Sequence, residues 1–567
     1  YADHRDLHSF PYTTLFRSEI LGENPFKTLA YSNAADIIEE GGIDIEGLAR
    51  QGLLGDVKGF GKALSAKITE YVETGQLTYY QKLTQQIPES VLELTYIPGL
   101  GPKKIGMLYK ELNIIDLDTL EKACNNGSIL QLKGFTAKTA EDILTSIDFI
   151  RAFKGRSLGQ GIIEAANALA VELAGCPGVL QLEYAGDLRR QAETIGDIIL
   201  VISSDNPQAV QSCIGQVCSQ AEPDGPAIAA VYRGIKIRIF ITGPGEYALK
   251  LHELTGSESY VGKFAEYIGQ KGYSIKVGML SRNGEPIQIS NEQELYNIAG
   301  MPYLMPILRD SPEIIARVQA TGIPQLVERD DIRGVVHVHT TWSDGKHSVR
   351  EMALHARSLG YEYIVITDHS KSSVVANGLK EDRIVLQHEE IDRLNAEGLG
   401  IHIFKGIECD ILGDGSLDYS DDVLRRFDVV IASVHNNFRM KKEDMTRRMI
   451  NALKNPYTTM LGHPTGRLLL ARQAYEVDIK QIIDEASDFG KIIEINANPY
   501  RLDLSAENAL YAAEKGVKMS INPDSHRKET ITDIDFGITV AQKALLGSAD
   551  IVNCLDSEDF RKQVCNK

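Results

Sequence analysis

The sequence predicts a multidomain chain that begins as a helical region and ends in a βα barrel. Two observations lead there. In the first third, apolar residues recur at helical spacing and are interrupted by glycine-bearing breaks. From Gly334 onward, strand-like apolar runs alternate with helical patterns. At 567 residues the chain also exceeds what one core supports, and about three or four domains are expected.

Composition narrows the class. Hydrophobic residues make up 43% and charged residues 24%, as in an ordinary globular protein. No stretch of 18 apolar residues occurs, so no membrane span is expected. The net charge of −18 argues against a general basic coat and leaves room only for local basic patches. Seven cysteines form no CxxC pair. They suit a reducing cytosol better than a disulfide framework, and a cytoplasmic monomer is expected. Residues 1–18 lack periodicity and an apolar core of the kind a signal peptide needs, and they read as a non-native or unstructured leader.

The helical region holds three breaks: Lys58-Gly59-Phe60-Gly61-Lys62, Ile97-Pro98-Gly99-Leu100-Gly101-Pro102-Lys103-Lys104 and Lys133-Gly134-Phe135-Thr136-Ala137-Lys138. Each opens a helix. Glycine there lets backbone N–H groups approach a phosphate, and the lysines add charge. One such turn is usually an ordinary helix connection; three in one segment favour binding. The set resembles the helix-hairpin-helix motif, which grips DNA backbone without reading bases. Gly59, Gly61, Lys62, Gly99, Gly101, Lys103, Lys104, Gly134 and Lys138 are the candidate DNA contacts. The third copy departs from the pattern, with Thr136 at its second glycine.

The middle carries Tyr184-Ala185-Gly186-Asp187-Leu188-Arg189-Arg190, then Thr194-Ile195-Gly196-Asp197-Ile198-Ile199, and later Thr255-Gly256-Ser257. This order of parts resembles family X DNA polymerases and implies an α+β nucleotidyltransferase palm. Such chemistry needs two Mg²⁺ ions held by carboxylates at i and i+2 of one strand and on a neighbouring strand. Asp197 is present, but its i+2 partner is Ile199. Spacing back from Thr255 puts Arg238 where the third carboxylate belongs. Asp187 stands for a serine and Val261 for an asparagine of the family pattern. A palm without polymerase activity and without Mg²⁺ is therefore expected, with Asp197 a vestige.

Residues 311–330 read as a charged, proline-punctuated linker that holds one helix. The barrel follows. Candidate ligands sit at the C-terminal ends of its strand runs, the catalytic face of such barrels. They are His337 and His339, Asp344, His369, Glu408, His435, His463, and Asp524 and His526. HxH alone is a weak signal; nine candidates at successive strand ends are a strong one. Imidazole with carboxylate suits Zn²⁺, Mn²⁺ or Fe²⁺ better than a structural cysteine site. The set resembles the PHP (polymerase and histidinol phosphatase) family, which implies a distorted (β/α)7-type barrel, three metals, and catalytic participation of Asp524 or His526. Arg439, Arg467 and Arg189 are candidate phosphate-holding cations, although surface arginines are more often merely solvated.

The order of parts over the whole chain resembles bacterial and archaeal PolX proteins. The domains read as a leader at 1–18, an 8-kDa-like helical domain at 19–95, a fingers-like domain at 96–150, palm and thumb at 151–310, linker at 311–330, and PHP domain at 331–567. The resemblance implies a Mn²⁺-stimulated 3′–5′ exonuclease acting on gapped, nicked or 3′-recessed DNA. Abasic-site endonuclease and 3′-phosphatase activities are also associated with the family. Two other readings stay open: an active gap-filling polymerase with PHP proofreading, and a small-molecule phosphatase of the histidinol-phosphate type.

Overall fold

The computed structural model describes residues 16–22, 45–57, 60–74, 77–97, 99–276 and 278–565. Two compact units emerge, Tyr1–Lys154 and Gly155–Lys567.

The first unit is helical. Helices Lys62–Thr74, Pro102–Leu112 and Ala137–Ala152 each start at one of the three sequence breaks. Gly99 adopts φ +86°, a conformation that only glycine reaches cheaply. Pro102 then occupies the first turn, where its missing N–H is not needed. In the third break Thr136 does the capping, its hydroxyl accepting from the Thr139 N–H at 3.2 Å. Ile87, Leu94, Ile105, Leu108, Ile143 and Ile147 form the core. Ile20 joins that core, and Arg17 Nε donates to the Ile87 carbonyl at 3.0 Å. Residues 16–21 are helical and Arg17 and Ser18 are buried, so the leader expected to run through Ser18 is corrected at its end. Residues 1–15 lie outside the described residues.

In the second unit, a five-stranded sheet comprises β1 (Val179–Ala185), β2 (Ile198–Ser204), β3 (Ser219–Asp224), β4 (Ala227–Tyr232) and β5 (Ile235–Thr242). Its spatial order is β1-β2-β5-β4-β3. Helices Gly159–Ala174 and Pro207–Val217 cover one face through Leu169, Leu173, Val210 and Ile214. Packing these two helices side by side brings Cys176 and Cys213 together in a disulfide, with Cα atoms 5.9 Å apart. That corrects the expectation of free thiols: the pair is 37 residues apart, so tertiary packing and no local motif creates it. A three-stranded sheet follows: β6 (Tyr273–Lys276), β7 (Met279–Arg282) and β8 (Glu285–Ile287). The expected linker does hold a helix, Glu313–Thr321, but it is no free tether. Ile314, Ile315 and Val318 pack into the core around Tyr260, Phe264 and Tyr296.

The barrel has seven strands: β9 (Gly334–Val338), β10 (Tyr363–Ile366), β11 (His402–Asp410), β12 (Val429–Ser433), β13 (Met460–Leu461), β14 (Ile492–Asn496) and β15 (Met519–Asn522). All pair in parallel and in sequence order. A bridge between Val338 and Ser525 brings the first and last strands together. Helices such as Val349–Ser358 and Glu381–Ala396 run between strands and bury their apolar faces outside the barrel. Phe560 of the C-terminal helix Ser557–Gln563 packs against Tyr363 and Phe404, with ring centroids 4.5 and 5.3 Å away. This apolar cluster also takes in Val336, Val365 and Ile431. No described helix is long and apolar enough to cross a membrane.

Candidate metal centre

Five of the nine candidate ligands, all histidines, converge on Glu408, near the C-terminal end of β11. Its Oε1 lies 3.3 Å from His337 Nε2, 3.2 Å from His435 Nε2 and 2.9 Å from His463 Nε2. Its Oε2 lies 2.9 Å from His369 Nδ1 and 3.6 Å from His339 Nε2. Asp524 Oδ1 adds a second focus, 3.5 Å from His337 Nε2 and 3.2 Å from His339 Nε2. Asp344 adds a third, 3.7 Å from His369 Nε2 and 3.5 Å from His526 Nε2.

Three overlapping groups result, each with ligand atoms within 4.8 Å of one another: His339, Asp344, His369 and His526; His337, His339 and Asp524; His369, Glu408 and His435. His463 belongs to none of the three, but its Nε2 meets Glu408 and its ring lies beside that of His435.

The donor set fits metal ions. His337 Nε2, both ring nitrogens of His339, His369 Nδ1 and Glu408 Oε2 are buried with no hydrogen-bond partner. Groups left so would each cost on the order of 1–3 kcal/mol unless something meets them. On His337 and His435 the opposite ring nitrogen is taken up by a carboxylate, the usual supporting partner of a metal-binding histidine. His337 Nδ1 lies 2.5 Å from Glu494 Oε1, and His435 Nδ1 lies 2.5 Å from Asp410 Oδ1. Both contacts turn Nε2 toward Glu408.

Local backbone makes this convergence possible. His337 and His339 do not lie on one regular strand, where residues two apart would share a face. β9 has a register shift between Val335 and Val338, His337 takes φ +64°, and His339 falls beyond the strand end. His463 and Asp524 also have positive φ, +23° and +53°. Such conformations cost on the order of 1–3 kcal/mol each and cluster where function demands them. Asp368, wholly buried, fixes the turn that carries Asp344. It accepts from the Thr340 N–H at 2.7 Å, Ser343 Oγ at 2.6 Å and Gln387 Nε2 at 2.6 Å.

The electrostatics favour cations. Burial alone would raise the Glu408 carboxyl, but His435, His337 and His369 outweigh it and hold it well below the usual range. Asp524 is likewise held ionised against its burial by His337 and its neighbours. Burial, with His526 and His369 beside it, pushes His339 down to about 3, which keeps that imidazole neutral and able to ligate. A cavity of about 470 Å³ opens over these residues, bounded also by Ser372, Val374, Val375 and Arg501.

The other candidates fall elsewhere. Arg467 does not face the cavity: it donates to Glu193 Oε1 at 2.6 Å and to the Leu502 carbonyl, and so clasps the palm. Arg189 is spent on Glu292 and on Thr255 Oγ1, each at 2.8 Å. Arg439 is exposed near the mouth of the barrel. The cation that does line the cavity is Arg501, whose Nε lies 3.6 Å from Asp524 Oδ2. Sequence reasoning passed over it, over Glu494 inside β14, and over Asp410, the last residue of β11, which lies two residues past the Glu408 that ends the run in the sequence.

In the palm, Ile199 and Arg238 are paired neighbours on β2 and β5. Arg238 meets Asp224 at 3.2 Å. Ile199 packs with Tyr247 and Leu251, so an apolar contact stands where the second carboxylate of this strand would be needed. Asp197 joins no group of potential metal ligands among the described residues. Asp187, at the place of the family's serine, is paired with Arg156 at 2.7 Å and Arg190 at 2.6 Å.

Of the helix-hairpin-helix candidates, Gly59 lies outside the described residues. The Gly61 carbonyl accepts from the Leu64 and Ser65 N–H groups, and Gly101 caps its helix. A Cβ on Gly61, Gly101 or Gly134 would meet nothing within 4 Å, so each faces open space. Lys62 and Lys103 are exposed. Lys104 Nζ is drawn back to the Gly99 carbonyl at 3.0 Å, and Lys138 pairs with Asp142 at 3.8 Å.

Comparison with known proteins fits this arrangement. Residues 336–498 match the PHP domain family, 13–77 a helix-hairpin-helix domain and 250–310 the DNA polymerase beta thumb. The chain is 34% identical over 549 residues to the DNA polymerase/3′-5′ exonuclease PolX of Bacillus subtilis (strain 168), covering 95% of each chain. Over its barrel it resembles a probable phosphatase of Acetivibrio thermocellus, 33% identical over 34% of this chain and 78% of the relative. A probable phosphatase of Caldicellulosiruptor bescii is 31% identical over 34% of this chain and 80% of the relative.

Proposed function

This chain belongs to the PolX family, a family X DNA polymerase core followed by a PHP domain, and from that premise we propose that it hydrolyses DNA phosphodiesters at 3′ ends in its barrel while its palm no longer polymerises. The domain limits read from the sequence are part of this proposal. One observation carries it. Nine side chains from the ends of six strands and the loops that follow gather in one centre, where buried nitrogen and oxygen atoms of His337, His339, His369 and Glu408 have no protein hydrogen-bond partner.

Mn²⁺ or Zn²⁺ (Fe²⁺ by the same donor chemistry) would be held by His337, His339, Asp344, His369, Glu408, His435, His463, Asp524 and His526. When bound, such ions lower the pKa of water and neutralise phosphate oxygens. Glu494 and Asp410 keep His337 and His435 oriented for that role. Arg501 stands at the cavity wall to donate to a phosphate oxygen. His526, at the exposed edge of the centre, would take part through Nε2 as a ligand, its Nδ1 being held by the Asp524 carbonyl at 3.0 Å.

DNA is the substrate because the N-terminal helix starts present open glycines and lysines suited to backbone phosphates. Gapped, nicked or 3′-recessed ends, met by a monomer in the cytoplasm, are the setting proposed. The probable phosphatases matched by the barrel favour a second activity of the same centre, removal of a 3′-phosphate. The Bacillus subtilis relative is named for polymerase as well as exonuclease; for this chain Ile199 and Arg238 speak for the second alone.

A nuclease assay with Mn²⁺ on gapped and 3′-recessed DNA tests the reading. The wild type should shorten 3′ ends and His339→Ala should not. Turnover of a histidinol-type phosphate without DNA cleavage would replace the proposal with a small-molecule phosphatase, and incorporation of dNTP at a primer end would restore the polymerase.

A further inference from the structure

One feature at the rim of the metal cavity is unexplained by ligation. Val374 and Val375 are 79% and 105% exposed, two adjacent β-branched apolar side chains almost wholly in water. Scattered exposed apolar residues are common. These two are distinguished by position, since both border the cavity that holds His369, His435, Asp524 and His526.

The loop that carries them is anchored on both sides. Ser372 Oγ donates to Asp410 Oδ2 at 2.5 Å and Ser373 Oγ to Asp410 Oδ1 at 3.1 Å. The Ser372 N–H reaches Asp418 Oδ2 at 2.7 Å, and the Lys371 N–H reaches the Tyr419 hydroxyl at 3.2 Å. On the far side the Gly378 N–H returns to the Ser373 carbonyl at 3.1 Å, closing a short 3-10 turn at Val374–Ala376. Gly378 is required there, because a Cβ would fall 1.9 Å from the Ser370 carbonyl oxygen. Asp410 is also the carboxylate that orients His435. The apolar tip is thus fixed to the same side chain as the centre and held at a set height above it.

We propose that Val374 and Val375 form an apolar wedge that separates the last base pair of a DNA duplex whose 3′ end enters the metal cavity. The inference rests on the DNA 3′-end reading above and deepens it. Glu408 is buried while Val374 and Val375 stand in water at the border of the same cavity, so a paired end that brings its terminal phosphate toward Glu408 meets the two valines at the rim. Water-facing apolar side chains that meet base faces lower the cost of opening that pair, as apolar side chains inserted at base steps do. The wedge acts on stacking and reads no base edge, so it is indifferent to sequence.

The test compares wild type, Val374→Ser/Val375→Ser and Val374→Ile/Val375→Ile in the full chain with Mn²⁺. Substrates are bis(p-nitrophenyl) phosphate, a single-stranded oligonucleotide and the same oligonucleotide in a blunt duplex. The serine variant should lose about tenfold of its duplex rate relative to its single-strand rate, part of the cost of unstacking one base step. Its turnover of the small diester should stay within about twofold of wild type, and the isoleucine variant should behave as wild type. Fluorescence of 2-aminopurine at the paired 3′ terminus should rise on binding wild type, without added metal, and not on binding the serine variant. Equal duplex-to-single-strand ratios in all three proteins, or a fluorescence rise with the serine variant, would overturn the wedge. A wild type that turns over the small diester but shortens no DNA end defeats the underlying reading instead, and is recognised without any variant.

Discussion

Ile199 on β2 pairs directly with Arg238 on the parallel strand β5, so an apolar and a cationic side chain occupy adjoining places beside Asp197. A cation at that point repels a second cation by about 4 kcal/mol at 4 Å for an effective dielectric of 20. Primer extension on gapped DNA with either Mg²⁺ or Mn²⁺ should therefore show no incorporation. Asp197→Ala should leave nuclease activity within about twofold of wild type. A nuclease loss above tenfold in that variant would mean the palm takes part in the hydrolytic reaction.

The centre should lose metal in proportion to how directly a side chain serves it. Glu408 touches five of the six imidazoles, and Glu408→Gln should abolish hydrolysis and lower bound Mn²⁺ or Zn²⁺ measured by elemental analysis. Glu494→Gln removes only the carboxylate behind His337 and should weaken metal affinity about 10- to 100-fold. A Glu494→Gln protein with wild-type affinity would reduce that contact to simple packing.

How far the sequence led can be seen in particular residues. Six barrel strands carry apolar runs long enough to recognise. β13 is only Met460–Leu461 and has no period to detect, although His463 beside it stood out. The ligands were legible because histidine and acidic residues ended those runs. Glu494 lies inside β14 among isoleucines and Arg501 in an irregular loop, so nothing local distinguished them. The two-residue spacing of His337 and His339 does not reveal that a bulge with φ +64°, and not regular alternation, brings them together. The Cys176–Cys213 pair and the burial of Arg17 are products of tertiary packing, which spacing does not encode.

Metal removal should destabilise the barrel as well as silence it. His337, His339 and Glu408 bury unmatched polar atoms, and ions binding only the folded state add about 2.7 kcal/mol at a hundredfold excess over Kd. Exhaustive EDTA treatment should lower Tm by several degrees, and Mn²⁺ should restore both Tm and hydrolysis. An unchanged Tm after verified metal loss would argue that the nine residues are prearranged without ions.

DNA affinity should be set outside the barrel. Lys103 is exposed in the first turn of the helix that follows open Gly101, while Lys104 is held back by the Gly99 carbonyl. Lys103→Ala should weaken binding equally for unrelated sequences and reduce the slope of log K against log salt by about one. Lys104→Ala should change the slope less. Sequence-dependent losses in either variant would contradict a grip on backbone phosphates.

Acid sensitivity should trace in part to His252. Its ring is wholly buried against Phe264, Tyr260 and Tyr296, with centroids 4.6, 6.1 and 5.7 Å away, and neither nitrogen has a hydrogen-bond partner. Burial, reinforced by Arg309, pushes its pKa down to about 3. The unfolded chain takes up a proton near pH 6.5 that the folded one refuses, so the stabilising contribution is full above that pH. It is lost as pH falls toward 3, at up to about 1.4 kcal/mol per pH unit. His252→Phe keeps the aromatic packing and removes the titration. Urea unfolding at pH 7.5 and pH 5 should therefore show a smaller acid-induced loss in the variant, with the gap between the two proteins widening as pH drops. Equal losses in both would mean that the His252 pocket opens to water before it takes up a proton.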